Sequence, residues 1–374
     1  MPFQIERIEL REIRLALREP FRISSGVQTE RRIMLLHLFD ASGADVWAEC
    51  VAGEEPNYSE ETVETAWHAI REWIAPRVLR RSFAHPSEVF GVLAHDFRGH
   101  NMAKAAVEMG CWGLAAVIDD VPLARLVGGT RDSVVTGISI GIQSSPEALV
   151  QRALAAVASG YRKVKLKIQP GSDVDFVRAV RSAVGPDISL MVDANSAYTL
   201  ADASLLVQLD EFGLIMIEQP LAHDDLVRHA ELQRRLNTPL CLDESITSLE
   251  RAEDMIALGS GRIINIKPGR VGGFSASLDI HDLCMRHGIP VWCGGMLESG
   301  VGRAYNVALA SLPNFRLPGD LSPSRRYWDR DLVEPEWTMD AEGQVQVPLE
   351  RGGIGVTPDV ERIEELTVRC EMLG

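Results

Sequence analysis

Three short apolar runs in the middle of the chain each end in a carboxylate: Leu190-Met191-Val192-Asp193, Ile215-Met216-Ile217-Glu218 and Leu240-Cys241-Leu242-Asp243. Successive carboxylates are 25 residues apart, which is the combined length of one strand, one helix and two short loops. A charged carboxylate at the end of a buried strand needs a partner, because leaving it desolvated and unpaired is costly. A divalent cation would be such a partner.

Lysines continue the same spacing on both sides of this stretch. Lys165 and Lys167 lie on the preceding apolar run, and Lys167 comes 26 residues before Asp193. Lys267 ends the following run, 24 residues after Asp243. Parallel strands at this spacing, each followed by a helix, predict a (β/α) barrel, in which the residues at the carboxyl ends of the strands surround one mouth. The acids would then form a cluster between two cationic flanks.

The composition narrows the classes of function. The chain has 374 residues, a formal charge of −15 and a pI of about 5.1. Without a block of Lys or Arg, we expect no nucleic acid and no anionic membrane as partner. No run is apolar enough to span a bilayer, and the start does not resemble a signal peptide. The six scattered cysteines indicate reduced thiols in a cytoplasmic protein.

The chain divides into three predicted segments. Residues 1–129 contain strands followed by helices and predict an α+β capping domain. Residues 130–334 alternate strands and helices as a barrel, with 134–142 as the first strand and 315–317 as a short eighth strand. Residues 335–374 lose this periodicity, and we expect them to return to the capping domain. Within the first segment, residues 20–27, which include Phe21, Ser24 and Ser25, suit a mobile lid or a plain surface connection.

Asp193, Glu218 and Asp243 offer only oxygen donors, which suits Mg²⁺, with Mn²⁺ as an alternative. Asn195 lies two residues after Asp193 and therefore on the same face if the strand extends that far. Each acid alone would more simply be a helix N-cap or a loop ion pair. Three acids at equal spacing between lysines favour the metal site.

The lysines suit acid–base chemistry at one carbon. Lys165 and Lys167 point to the same side of their strand, and like charges lower each other's pKa, which would allow a neutral lysine near pH 7. Lys267 would face the other side of a ligand. A base on each face is what racemisation requires, whereas a base and a cation suit elimination. Solvated or ion-paired lysines are the simpler alternative.

Two further features lie near the predicted mouth. The glycines of residues 294–300 would allow backbone N–H groups to approach a ligand anion closely, although a plain turn is the more common explanation. Arg270, three residues after Lys267, would either hold a second anionic group or point into solvent.

These residues resemble the enolase superfamily, in its muconate-lactonizing-enzyme-like subgroup. The motifs that carry the resemblance are Lys165-Leu166-Lys167, Asp193-Ala194-Asn195, Glu218-Gln219-Pro220, Asp243-Glu244-Ser245 and Lys267-Pro268-Gly269-Arg270. A finer similarity to the N-succinylamino acid racemase/o-succinylbenzoate synthase family is based on Ser139-Ile140-Gly141-Ile142-Gln143, Val164–Ile168 with Pro170-Gly171, residues 291–300 and Leu317-Pro318-Gly319-Asp320. The resemblance covers essentially the whole chain.

The resemblance implies an α/β fold, a (β/α)₇β TIM-like barrel with a capping domain formed by both ends of the chain. It implies Mg²⁺ on the three carboxylates, Lys167 and Lys267 as the acid/base pair, and Lys165 beside the enolate. It also implies substrate contacts by Ser139, Asn195 and the backbone of Gly295 and Met296, and it associates Arg270 with racemase activity. One departure is Gly113, where relatives tend to carry an acid, and this puts an interdomain ion pair in doubt.

The implied reaction is Mg²⁺-dependent removal of a proton alpha to a carboxylate, giving an enediolate. Dehydration would then make o-succinylbenzoate, for menaquinone biosynthesis, and reprotonation would racemise an N-succinyl- or N-acylamino acid. We therefore expect a small carboxylate substrate and a homo-oligomeric enzyme. A muconate cycloisomerase or dipeptide epimerase would use the same residues. A Schiff-base aldolase and a non-catalytic Mg²⁺-binding protein are alternatives from other classes.

Overall fold

The computed structural model describes residues 1–23 and 26–374 of the chain. Two main sheets organise these residues, an antiparallel sheet built largely from the N-terminal region and a parallel sheet from the middle of the chain. None of the helices described is both long and apolar enough to cross a membrane. All six cysteines are free thiols and five of them are buried, as the sequence predicts.

The N-terminal region begins with strands and continues with helices. Its elements are β1 (Phe3–Ile23), β2 (Gly26–Asp40), β3 (Asp45–Cys50), α1 (Val63–Ala69), a π-helical turn (Ile70–Ile74), α2 (Ala75–Val78), β4 (Ser82–Phe83), α3 (Ser87–Ala94), α4 (Asn101–Ile118) and α5 (Leu123–Leu126). Helix α1 begins directly after its N-cap residue, Thr62. The side chain of Thr62 accepts a hydrogen bond from the backbone of Thr65 and forms a capping box with it.

The middle region alternates strands and helices. Its elements are β5 (Ser133–Val135), β6 (Gly137–Ile140), α6 (Pro146–Ala158), β7 (Lys163–Lys167), α7 (Val174–Val184), β8 (Ser189–Asp193), a 3₁₀ turn (Leu200–Asp202), α8 (Ala203–Leu206), a second 3₁₀ turn (Val207–Phe212), β9 (Ile217–Glu218), α9 (Val227–Gln233), β10 (Leu240–Leu242), α10 (Leu249–Leu258), β11 (Ile263–Ile266), α11 (Pro268–Val271), α12 (Phe274–Arg286), β12 (Val291–Cys293) and α13 (Gly300–Ala310).

The last region contains short strands and one further helix. These are a 3₁₀ turn (Ser324–Arg326), β13 (Val333–Glu334), β14 (Gln344–Gln346), β15 (Thr357–Pro358), α14 (Val360–Leu366) and β16 (Thr367–Leu373). The antiparallel sheet has the order β16-β1-β2-β3, and β4 also pairs with β1. The end of the chain therefore pairs with its beginning. The three domain boundaries themselves stay a prediction.

The parallel sheet has the order β6 to β12 without interruption, and every neighbouring pair is parallel. The predicted eighth strand is reduced to two single bridges, from Phe315 to Val291 of β12 and from Gly319 to Thr136 beside β6. These bridges connect the last strand to the first. The α/β barrel fold is confirmed.

The prediction of one first barrel strand over residues 134–142 is wrong, because the chain changes partner at Thr136. β5 pairs antiparallel with β14, whereas β6 pairs with β7. The backbone N–H of Thr136 donates to Gly343, and that of Gly137 donates to Gly319. Glycine is needed at 137, since a Cβ there would lie 2.2 Å from the Lys163 side chain. An apolar run cannot show such a change of partner.

Gly113, the departure from the family pattern, has a packing reason. A Cβ at this position of α4 would lie 2.4 Å from the hydroxyl oxygen of Tyr305. Tyr305 comes from α13, is fully buried, and donates a hydrogen bond of 2.8 Å to the backbone oxygen of Trp47. A tyrosine hydroxyl thus connects the helix after the seventh barrel strand to β3, in a space that an acidic side chain at 113 would need.

Candidate active site

The three predicted metal ligands lie side by side at the carboxyl ends of adjacent barrel strands. Asp193 ends β8, Glu218 ends β9 and Asp243 directly follows β10. Asp193 and Glu218 are paired in register across their strands. All three side chains are almost completely buried. Because parallel strands end at the same edge of the sheet, a local pattern of apolar runs suffices to bring these acids together.

Each of these carboxylates contacts the ammonium group of a predicted catalytic lysine. The distance from Nζ of Lys167 to Oδ2 of Asp193 is 2.6 Å, and from Nζ of Lys267 to Oδ2 of Asp243 it is 2.8 Å. Nζ of Lys165 lies 3.3 Å from Oε2 of Glu218. The structure therefore brings all six side chains into one network of alternating charge.

The expected lowering of the lysine pKa by a like charge on the same strand is wrong for Lys165. Burial by itself lowers the pKa of Lys165, but the carboxylates of Asp320, Glu218 and Asp193 outweigh it and raise that pKa well above its usual value. Burial is likewise outweighed at Lys267, whose pKa the Asp243 carboxylate raises. Sequence spacing shows which lysines share a face, but not which anions lie beside them.

Glu218 has the opposite shift. Burial raises the pKa of this carboxyl, and the neighbouring charges of Asp193 and Asp243 raise it further. The three acids are therefore close enough to repel one another. Burial also raises the pKa of Glu244, next to Asp243, to about 7, and its Oε2 atom has no hydrogen-bond partner among residues 1–23 and 26–374.

Across the described part of the chain, no three His, Cys, Asp or Glu side chains converge closely enough to hold a metal ion in this conformation. The donor set still fits Mg²⁺, since it consists of carboxylate oxygens only. The mutual repulsion that raises the pKa of Glu218 is a second reason, because a divalent cation would relieve it.

A cavity of about 320 Å³ lies above this network. Six of the predicted site residues line it, namely Phe21, Lys167, Asn195, Lys267, Gly295 and Met296. Asn195 accepts a hydrogen bond from Lys167 through Oδ1 and donates one to Glu244 through Nδ2. The backbone N–H of Met296 donates to Oε1 of Glu298 at 2.8 Å.

The predicted lid belongs in part to the antiparallel sheet. Phe21 of β1 is paired with Gln28 of β2, and both residues line the cavity. Ser24 and Ser25 lie outside the described residues.

Ser139 and Arg270 are buried and are not among the residues that line this cavity. Ser139 is paired in register with Lys165, and its hydroxyl has no hydrogen-bond partner within the described ranges. The guanidinium of Arg270 contacts Oδ1 of Asp243 and donates to the backbone oxygen of Ile246 at 2.7 Å. Their roles toward a substrate stay predictions.

Sequence reasoning missed several members of the network. Tyr58 reaches it from the connection between β3 and α1, where its hydroxyl accepts from Lys267 at 3.1 Å and donates to Asp243 at 3.1 Å. Asp320 binds Lys165 at 2.5 Å and Lys163 at 3.2 Å. Lys163 could have been found from the sequence, since it continues the alternation of Lys165 and Lys167.

Family models match most of the chain. Residues 6–128 match the mandelate racemase/muconate lactonizing enzyme N-terminal domain, and residues 148–363 match the enolase C-terminal domain-like family. The chain is 50% identical to an o-succinylbenzoate synthase from Geobacillus kaustophilus, over 98% of this chain and 97% of the relative. It is 46% identical to an N-succinylamino acid racemase from an Amycolatopsis species, over 99% of this chain and 100% of the relative.

Solved structures give the same result for the fold. An enolase superfamily member from Listeria innocua superposes with a TM-score of 0.96 at 40% identity, covering 99% of both chains. A dipeptide epimerase from Cytophaga hutchinsonii, complexed with Mg and a dipeptide, has a TM-score of 0.91 at 23% identity, covering 99% of this chain and 100% of that one. At that identity the likeness concerns the fold.

Proposed function

The chain belongs to the enolase superfamily, and we propose that it removes the proton alpha to a carboxylate in an Mg²⁺-dependent reaction. The products would be o-succinylbenzoate, by dehydration, and racemised N-succinyl- or N-acylamino acids, by reprotonation. The observation that carries this proposal is the pair Lys167 and Lys267, which line one cavity and each contact a different carboxylate of one buried cluster.

The positions of the two lysines support proton transfers on different sides of a bound substrate. Lys167 ends β7 and Lys267 directly follows β11, and three strands of the sheet lie between β7 and β11. An alpha carbon between them would therefore meet Lys167 on one side and Lys267 on the other. For racemisation one lysine accepts the proton and the other donates one, and the roles exchange for the other enantiomer. For dehydration only the accepting lysine, Lys167, acts as a base.

Asp193, Glu218 and Asp243 would hold the Mg²⁺ ion, or Mn²⁺ in its place. The bound ion would supply positive charge next to the substrate carboxylate and so stabilise the negative charge that develops when the proton leaves. Lys165 would add a second positive charge there, since its ammonium group stays protonated beside three acids. Asn195, Ser139 and the backbone at Gly295 and Met296 would orient the substrate.

The proposed reaction is tested by proton NMR in D₂O with Mg²⁺-loaded protein. The panel contains the o-succinylbenzoate precursor, N-succinyl and N-acetyl amino acids, a dipeptide and a muconate. We expect alpha-proton exchange with the N-acylamino acids and loss of water from the precursor. Exchange with the dipeptide alone, or turnover of the muconate alone, would favour the alternative activities, and no exchange at all would favour a binding protein.

The metal site is tested by Glu218→Gln, which removes a charge and preserves the shape of the side chain. We expect weaker Mg²⁺ binding in calorimetry and loss of alpha-proton exchange. The matched control is Glu253→Gln on the exposed face of α10, which should leave both unchanged. Full activity of the wild-type protein in excess EDTA would refute metal dependence.

We further propose that the protein is a cytoplasmic homo-oligomer that supplies menaquinone biosynthesis. The o-succinylbenzoate synthase named among its relatives supports this pathway. Sedimentation velocity at micromolar concentration tests the assembly, and a monomer would contradict it.

A further inference from the structure

A second cavity, of about 480 Å³, lies on the outer side of the first barrel strand. Ile138 and Ile140 of β6 line it. Ser139 between them is paired with Lys165, whose ammonium group lies inside the barrel. Because side chains alternate along a strand, the two isoleucines point away from the active site. The cavity is therefore separated from the carboxylate cluster by the wall of the barrel.

Positive charge is concentrated at this cavity although the whole chain carries −15. Among the described residues, five arginines from β1, α6 and the 3₁₀ turn at Ser324–Arg326 line it beside one acid, Glu19; the arginines are Arg18, Arg22, Arg152, Arg325 and Arg326. In a strongly acidic protein, such a cluster of guanidinium groups requires an explanation. Arginine is the side chain that most often recognises carboxylate and phosphate groups, through its planar fork of donors.

The internal contacts use only part of this donor capacity. Arg152 lies 2.5 Å from Glu19, and Arg326 lies 3.8 Å from the same carboxylate. Arg326 also donates to the backbone oxygen of Ser139 at 3.3 Å, whereas its Nε is buried and has no partner in the described part of the chain. One carboxylate cannot satisfy two guanidinium groups, each of which has five donors.

Apart from Gln143 and Ser159, the remaining side chains that line the cavity are apolar or aromatic. Phe21, Ile142, Tyr161 and Met339 line it beside the two isoleucines of β6. A hydrated inorganic anion would gain nothing from this surface, whereas an organic anion would bury its hydrocarbon part there. We propose that the cavity is a second binding site, specific for a small organic anion with an apolar body, such as an aryl carboxylate.

The site also contacts the hairpin formed by β1 and β2, whose paired residues Phe21 and Gln28 line the active-site cavity. The backbone oxygen of Arg22 accepts a hydrogen bond from the backbone N–H of Ile142 at 3.1 Å. Gly141 allows this approach, because a Cβ there would lie 2.7 Å from the same oxygen. Phe21 lines both cavities. An anion bound by Arg22 and Arg326 therefore holds the hairpin against the barrel.

Phthalate is a suitable probe, since it combines two carboxylates with an aromatic ring. Its binding to the Mg²⁺-loaded protein is measured by isothermal titration calorimetry, for the wild type, for Arg152→Gln and for Arg152→Gln/Arg326→Gln. The matched control is Arg178→Gln on α7, because Arg152 and Arg178 are both 51% exposed and both pair with an acid. Any binding in the active site is common to all four proteins.

We expect the wild type to bind one phthalate per chain at this second site. The dissociation constant of that phthalate should rise at least about tenfold in the double variant, because charge-assisted hydrogen bonds are lost. Arg152→Gln should show part of this effect, and its exposed position excludes a folding defect as the cause. Arg178→Gln should bind as the wild type does. Equal binding by the wild type and the double variant, or an equal loss in Arg178→Gln, would overturn the proposal.

Inorganic phosphate tests the apolar part of the proposal. It should bind this site at least tenfold more weakly than phthalate, and equal affinity would show that charge alone is recognised. Alpha-proton exchange, measured in parallel, reports on the active site separately. If the wild type binds no phthalate at this site but still exchanges the alpha proton, this inference fails and the proposed function is unaffected.

Discussion

Tyr58 is the residue whose substitution tests the active-site geometry most directly. Its hydroxyl accepts a hydrogen bond from Lys267 and donates one to Asp243, both at 3.1 Å. Lys267 also lies 4.4 Å from the centre of the tyrosine ring. Tyr58→Phe keeps the ring, and thus the packing against the ammonium group, but removes these two hydrogen bonds and a longer one of 3.4 Å that the hydroxyl accepts from Arg270. The substitution therefore isolates the contribution of one hydroxyl group.

The magnitude follows from the charged partners. A hydrogen bond to a charged group contributes about 1.5–3 kcal/mol, which corresponds to about 10- to 100-fold in a rate or binding constant. The partners of Lys167 are Asp193 and Asn195, not Tyr58. We therefore expect the proton transfer made by Lys267 to slow by about 10- to 100-fold in Tyr58→Phe, and that made by Lys167 to change little.

The assay is exchange of the alpha proton with D₂O, measured separately for each enantiomer of an N-acylamino acid. In the wild type both enantiomers exchange, since each lysine serves one face. Tyr58→Phe should slow exchange of one enantiomer, the same one that Lys267→Ala abolishes. Exchange of the other enantiomer is the internal control.

Mg²⁺ must be saturating in this assay, because Tyr58 also contacts Asp243, a proposed metal ligand. Saturation removes any difference in metal affinity from the comparison. An equal slowing of both enantiomers at saturating Mg²⁺, or unchanged exchange of both, would refute the assignment of Tyr58 to Lys267.

Three other substitutions test the hairpin, a buried carboxyl group and the second lysine. Gly141→Ala places a Cβ 2.7 Å from the backbone oxygen of Arg22 and should raise KM about tenfold, because it displaces the hairpin. The control Gly91→Ala has no atom within 4 Å of its Cβ and should leave KM unchanged. Equal KM values for the two variants would contradict this reasoning. Burial raises the pKa of Glu49 from 4.5 to about 7, so the folded state keeps the carboxyl proton at a higher pH than the unfolded state does. The protein should therefore lose about 3 kcal/mol of stability as the pH rises between these two pKa values. Glu49→Gln should make the free energy of unfolding, measured in urea, depend less on pH between pH 4 and 8. An unchanged pH dependence would show that the carboxyl group of Glu49 does not titrate in this range. Lys267→Arg keeps the charge but cannot lose its proton at neutral pH, so it should spare dehydration more than racemisation, and equal losses would argue against separate roles.

The sequence by itself was sufficient for the barrel and for the composition of its carboxylate cluster. Asp193, Glu218 and Asp243 each end a short apolar run, and the runs recur at one spacing. Parallel strands that end at one edge turn this local regularity into proximity in space. Lys167 at the end of β7 and Lys267 directly after β11 follow the same rule, so their presence at the mouth needs no information about tertiary contacts.

The change of partner at Thr136 and the contacts of Tyr58 required the tertiary structure. β5 pairs with β14 about 210 residues later in the chain, and Tyr58 meets Lys267 across 209 residues. No periodic pattern relates such positions, because the contact depends on how separate elements pack. Gly113 is similar, since its missing side chain is explained only by the Tyr305 hydroxyl beside it.

The protonation of the lysines also depended on the tertiary structure. Two like charges on one strand favour a lowered pKa, and this is all that the spacing of Lys165 and Lys167 can show. Asp320, which is 155 residues away in sequence, places its carboxylate 2.5 Å from Lys165, and the pKa of Lys165 rises instead. Spacing along a strand determines which groups share a face, whereas the charge that each group holds depends on every element that packs against it.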